Sequence, residues 1–190
     1  MADVFYSPST AGEFRQGEIL TGLKQIVPLP GTALQSPVAN IVEHRYAVIL
    51  SQDCDLEQDF KARFDPDLDP SKLAAKERRK LQSILFCDAI PEAEVKERIA
   101  DPSIWRNALQ NKNEPFHYLH EASQEGDAKG EGLPPLGLDF KNYFTMATDD
   151  VYAQANALKN RRSVLKAYYA EHLSVRFFFY QLRIALPKEH

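Results

Sequence analysis

The run Tyr46-Ala47-Val48-Ile49-Leu50 constrains this chain more than any other segment. Consecutive apolar residues rich in strand formers predict a strand buried on both faces, because a strand with one wet face would alternate. The run ends in Ser51-Gln52-Asp53-Cys54-Asp55-Leu56, a polar tip with two carboxylates, a thiol, a hydroxyl and an amide. Burial explains the strand but not the tip, so the tip is the first place to look for function.

Around this strand, predicted strands and helices alternate. Gly17 to Leu23 predicts an opening strand after an entry turn at Gly12. Pro28, Pro30, Gly31 and Pro37 then predict a loop, because proline fixes φ and removes a donor. Segment 58–82 predicts a helical insertion. Phe60, Phe64 and Leu68 are spaced by four there, and a helix follows the turn at Pro70-Ser71. Ser83 to Ala89 predicts a strand, and Pro91 to Ile99 and Ile104 to Leu109 predict helices. Phe116 to His120 predicts another strand, Ser123 to Gly132 a mobile charged loop, and Leu136 to Met146 a strand. Thr148-Asp149-Asp150 suits a helix cap. Leu165, Tyr169, Leu173, Phe177, Tyr180 and Ile184 predict one long C-terminal helix over 161–186. The expected architecture is a single α+β domain over 1–190. It combines a small antiparallel SH3-like barrel or bent sheet with an inserted helical segment and a long C-terminal helix.

Composition narrows the function classes. A net charge of −4 gives no global basic footprint, so nucleic-acid contact would need a local patch. Lys76 to Lys80 with Lys72, and Arg161-Arg162 with Lys166, are the local basic clusters, and the first holds Glu77 and follows an acidic tract. Two cysteines in a chain of 190 residues suit a reducing cytosol better than a disulfide scaffold. No basic-then-apolar leader opens the chain, and no apolar stretch reaches the ~18 residues needed to span a bilayer. A cytoplasmic protein without membrane contact is the expectation.

The tip admits three chemistries. Cys54 and Cys87 with His117 and His120 (or His44) offer zinc about four N/S ligands, although no Cys-x2-Cys spacing is present. Cys54 as a nucleophile would need a base or a cation, and its flanking carboxylates oppose thiolate formation. The plainest reading makes both cysteines small buried residues, with Asp53 and Asp55 fixing a turn. Arg45 is either a phosphate or carboxylate contact or a solvated charge. Phe177-Phe178-Phe179 is either core or a partner-binding face.

Gly17-Glu18-Ile19, then Arg45 directly before Tyr46 to Ser51, then Ile84 to Ile90, resemble the strand series of the PemK/MazF toxin family. The resemblance covers about a third of the chain. It implies an SH3-like barrel and places Arg45 as the family's RNA-cleaving arginine, while Pro91 stands where the family carries its catalytic Ser/Thr. The expected function is therefore a binding or regulatory module on a toxin-like barrel. It would recognise nucleic acid or a protein partner through Arg45, Ser51, Gln52, Asp53, Cys54 and Asp55. The alternatives are a ribonuclease using Arg45 with Asp53 or Asp55, and a zinc-stabilised structural protein.

Overall fold

A computed structural model describes residues 3–28, 39–64, 73–99 and 101–182. The predicted loop around 30–37, the acidic tract at 65–69, the turn at 70–71, Lys72 and the chain beyond 182 lie outside them.

Seven strands form one open antiparallel sheet: β1 (Tyr6–Pro8), β2 (Glu18–Pro28), β3 (Ala39–Ile49), β4 (Ser83–Pro91), β5 (Phe116–Leu119), β6 (Leu136–Ala147) and β7 (Arg161–Leu165). Their order across the sheet is β1-β7-β2-β3-β4-β6-β5. The α+β class is as expected, in its open-sheet form and not as a closed barrel. Both edges are short strands, and β1 carries Pro8, which limits pairing with another chain. Six helices complete the described chain: α1 (Asp53–Phe64), α2 (Leu73–Glu77), α3 (Glu92–Arg98), α4 (Pro102–Leu109), α5 (Thr148–Leu158) and α6 (Ala167–Gln181).

The central strands are buried on both faces, as the run at 46–50 predicts. Val48, Leu50, Cys87, Leu138 and Phe140 form one core with Ala170 and Leu173 of α6. Ala47, Ile49, Ile84 and Phe86 form a second with Leu56 of α1 and with Val151 and Ala155 of α5. The sheet is thus a middle layer between α6 and the α1/α5 pair. Leu20 and Leu23 both join the second core although they are three residues apart. Strict alternation would separate them. Gly22 between them has φ +67°, a conformation that breaks the alternation and favours glycine. A third cluster, Val95, Ile99 and Ala108 with Trp105, packs α3 and α4 against Ile90 and Phe116.

Three expectations need correction. Arg45 does not precede its strand, because β3 begins at Ala39 and runs through it. The tip is not a strand-end loop: Asp53 opens α1, so Asp53, Cys54 and Asp55 form a first helical turn. Segment 161–186 is not one helix, since Arg161–Leu165 is β7 and α6 starts at Ala167. Leu165 and Leu173 share a helical spacing only because strand and helix face the same core.

The charged loop at 123–132 is a loop, but a pinned one. Asp127 accepts two hydrogen bonds of 2.7 Å from Arg162 Nε and Nη2, and others from the backbone N–H groups of Lys129, Glu131 and Gly132. Burial raises the Asp127 pKa, but Arg162 and the backbone donors outweigh it and hold the carboxyl below its ordinary value. Asp3 fixes the other end of the loop by accepting from Ser123 N at 2.6 Å.

Candidate functional site

The polar tip divides into structural and outward-facing residues. Ser51 Oγ accepts from Leu85 N at 2.9 Å, tying the end of β3 to β4. Gln52 O accepts from the N–H groups of Asp55 and Leu56 at 3.1 Å and starts α1. Asp53 accepts from Arg15 Nε and Nη2 at 3.1 Å and from Gln16 N at 2.6 Å. It staples α1 to the turn before β2, and the hydrogen bond holds the Arg15 guanidinium above its ordinary pKa. Asp53 and Asp55 also place two acids in the first turn of α1, where negative charge complements the helix dipole.

Arg45 is not part of this arrangement. Its exposed guanidinium pairs with Glu94 Oε1 of α3 at 2.9 Å and lies 5.4 Å from the Tyr46 ring centroid. Asp53 is committed to Arg15, and no ion pair joins Arg45 to Asp53 or Asp55 among the described residues. The residues of the expected ribonuclease site are therefore not brought together.

The expected zinc ligands also fail to converge. Cys54 is exposed on α1, whereas Cys87 is buried in β4 with its Sγ 3.4 Å from Asp139 O. Burial pushes the Cys87 thiol pKa far up, with Asp88 and Asp139 adding to it. His117 is buried beside His172. His120 is exposed and stacks on Phe5 at 4.3 Å. His44 is buried between Asp88 and Gln25 and stacks on Phe144. Among the described residues, no group of three or more His, Cys, Asp or Glu side chains is placed to hold a metal. Among the described residues no histidine or cation is bonded to Cys54. Its hydrogen-bond neighbours are Gln52 Oε1 at 3.7 Å and Asp55 Oδ1 at 3.9 Å.

The outward residues of the tip face α6. Gln52 and Asp55 line a cleft of about 370 Å³ whose far wall is Ser174, Phe177, Phe178 and Gln181. These α6 positions follow i, i+3, i+4, i+7 and so share one side of the helix. Immediately beside them runs a second stripe at the same spacing: Val175, Phe178, Phe179 and Leu182, exposed by 50, 58, 66 and 49%. The Phe177-Phe178-Phe179 run thus divides: Phe177 packs on the core, while the other two face outward.

Sequence reasoning missed a larger cleft on the other face of the sheet. It has a volume of about 770 Å³ and is walled by Phe14, Phe60, Phe64 and Tyr152, with Lys129 and Lys159 among its lining residues. The only signal was the four-residue spacing of Phe60 and Phe64, which reads equally well as core.

No helix among the described residues is long and apolar enough to cross a membrane. No family model, curated protein or solved structure matches the chain.

Proposed function

We propose that this chain is a cytoplasmic binding and regulatory module that docks a protein segment across the first turn of α1 and the outer side of α6. One observation carries the reading: the apolar stripe Val175, Phe178, Phe179, Leu182 lies beside a cleft whose opposite wall is the polar tip. An apolar strip bordered by polar groups is the usual anatomy of a protein-binding surface. A protein segment fits better than nucleic acid. Among the described residues the cleft presents Asp55 and no Lys or Arg, so its described walls offer phosphates no cation. The partner chemistry that matches is an apolar side chain for Phe178, flanked by a basic group for Asp55.

The test places a photo-crosslinking phenylalanine analogue at exposed position 178 and, as a control, at position 104, in cells that make the protein. The reading expects a discrete protein adduct from position 178 only, reduced severalfold by Asp55→Lys. An adduct indifferent to Asp55→Lys, an adduct of twice the chain mass, a nucleic-acid adduct, or no adduct at all would each refute it.

A further inference from the structure

We infer that the larger cleft, on the sheet face opposite α6, binds a small planar anion: one aromatic ring system bearing a single phosphate or carboxylate. The inference is independent of the docking surface proposed above.

The walls supply the ring recognition. Phe60 and Phe64 of α1 have centroids 5.0 Å apart, Phe64 meets Tyr152 of α5 edge-on at 5.1 Å, and Tyr152 meets Phe14 at 4.7 Å. Four rings in continuous contact form an apolar surface at one side of a cleft of about 770 Å³. That is within the roughly 300–1,000 Å³ typical of small-molecule sites. Phe64 is half exposed, so a face of it is free for stacking. Asn156 and Ser9 add polar groups for the edge of a ring, and Ser9 Oγ is buried without a hydrogen-bond partner among the described residues.

The charges supply the sign. Among the described residues no acidic side chain lines the cleft, although the whole chain is acidic. Its cations are Lys129, Lys159 and Arg161. Arg161 is already satisfied: it donates to both carboxylate oxygens of buried Glu18 and to the carbonyls of Gly12 and Glu13, with its guanidinium carbon 4.5 Å from the Phe14 centroid. It is a positioning residue that holds the 12–14 wall. Lys129 and Lys159 are exposed, and neither makes an ion pair among the described residues. Lys159 follows the carbonyl end of α5, so the anion contact falls to the two ammonium groups and not to the helix dipole. Both stand on fixed backbone. Lys159 caps α5 at φ +46°, and Lys129 follows Asp127, which Arg162 anchors.

Saturation-transfer NMR and calorimetry on the whole chain at low salt test this, with AMP, 2-naphthoate, adenosine and inorganic phosphate as probes. AMP or 2-naphthoate should bind with ring-proton saturation, and the matching neutral or ring-free probes should bind about tenfold more weakly or not at all, a difference of one or two charge contacts. The double variant Lys129→Ala/Lys159→Ala should weaken binding at least tenfold while leaving Tm unchanged. Phe64→Ala should weaken AMP or naphthoate without affecting phosphate. Binding of AMP alone identifies a phosphate ligand, and of naphthoate alone a carboxylate. The inference is overturned if neither anion binds, if adenosine or phosphate binds as well as AMP, or if the double-lysine variant binds like the parent.

Discussion

Removing the Asp127 carboxylate should be among the most costly single changes outside the cores. Asp127→Ala strips Arg162 of both 2.7 Å hydrogen bonds and frees three backbone N–H groups. Arg162, whose side chain is only 9% exposed, keeps Gly132 O and the exposed Glu131 carboxylate, each at 3.1 Å. Breaking a buried pair by deleting one partner costs roughly 3–5 kcal/mol, and these residual contacts place Asp127→Ala near the lower end, about 3 kcal/mol. For a chain of this size each kcal/mol moves Tm by roughly 2–4 °C, so Tm should fall by about 6–12 °C. Urea and thermal unfolding of Asp127→Ala, Arg162→Met and the double variant form the cycle. The double variant buries no unpaired charge and should be more stable than the sum of the singles by at least ~1 kcal/mol. A loss below ~1 kcal/mol in Asp127→Ala, or strict additivity, would refute the view that this pair pins the loop.

Three further outcomes follow from the geometry. Gly17 has φ +75° and a Cβ there would sit 2.9 Å from Leu165 Cβ, whereas Gly130 has φ +68° and open space. Gly17→Ala should cost the ~1–2 kcal/mol of left-handed backbone plus ~1–3 of overpacking, and Gly130→Ala only the first; equal losses in equilibrium unfolding would contradict this. Thiol titration with an aromatic disulfide should modify Cys54 alone in the native protein and both cysteines in denaturant, because Cys87 is buried and its pKa is raised; two fast native thiols would be inconsistent with that burial. Burial, then the charges of Arg176 and His172, hold the His117 pKa well below its ordinary value, so the unfolded chain binds the proton first as pH falls. Its contribution is complete above about pH 6.5 and is lost below it, at up to ~1.4 kcal/mol per pH unit. Asp127 and Asp3, with lowered pKa values, add a separate loss that begins only near pH 4. A urea midpoint that stays flat from pH 7 to 5 would rule out the histidine limb.

Local periodicity made β4, α3, α4, β5 and β6 legible, since each is a short segment with its own apolar pattern and a proline or polar boundary. Asp53 and Asp55 before Leu56 were also a legible helix start, acids in a first turn ahead of a buried residue. The apolar run at 46–50 drew the eye to a strand end and masked that signal. The β7–α6 boundary was not legible. Lys166 is neither proline nor glycine, and Leu165 falls in helical register with Leu173 because strand and helix face the same core. Gly22 gave no pattern cue that two leucines three apart would share a core. The aromatic cleft is assembled from segments as distant as Ser9 and Arg161, so no window of sequence contains it. Within the tip, Ser51 fastens β3 to β4 and Asp53 fastens α1 to the turn before β2, while Ser51, Gln52 and Asp55 line the cleft beside α6.

Helix α1 lies across one edge of both clefts. Its first turn lends Asp55 to the side facing α6, and its last two turns lend Phe60 and Phe64 to the aromatic side. Between them Leu56 and Asp59 are fully buried, so the helix moves as a rigid bar if it moves at all. If both proposed sites are occupied and a ligand on one side shifts α1, its affinity is coupled to that of the other side, and by thermodynamic reciprocity the effect would run equally in both directions. Through this one helix, a protein partner and a small anion would each report on the presence of the other.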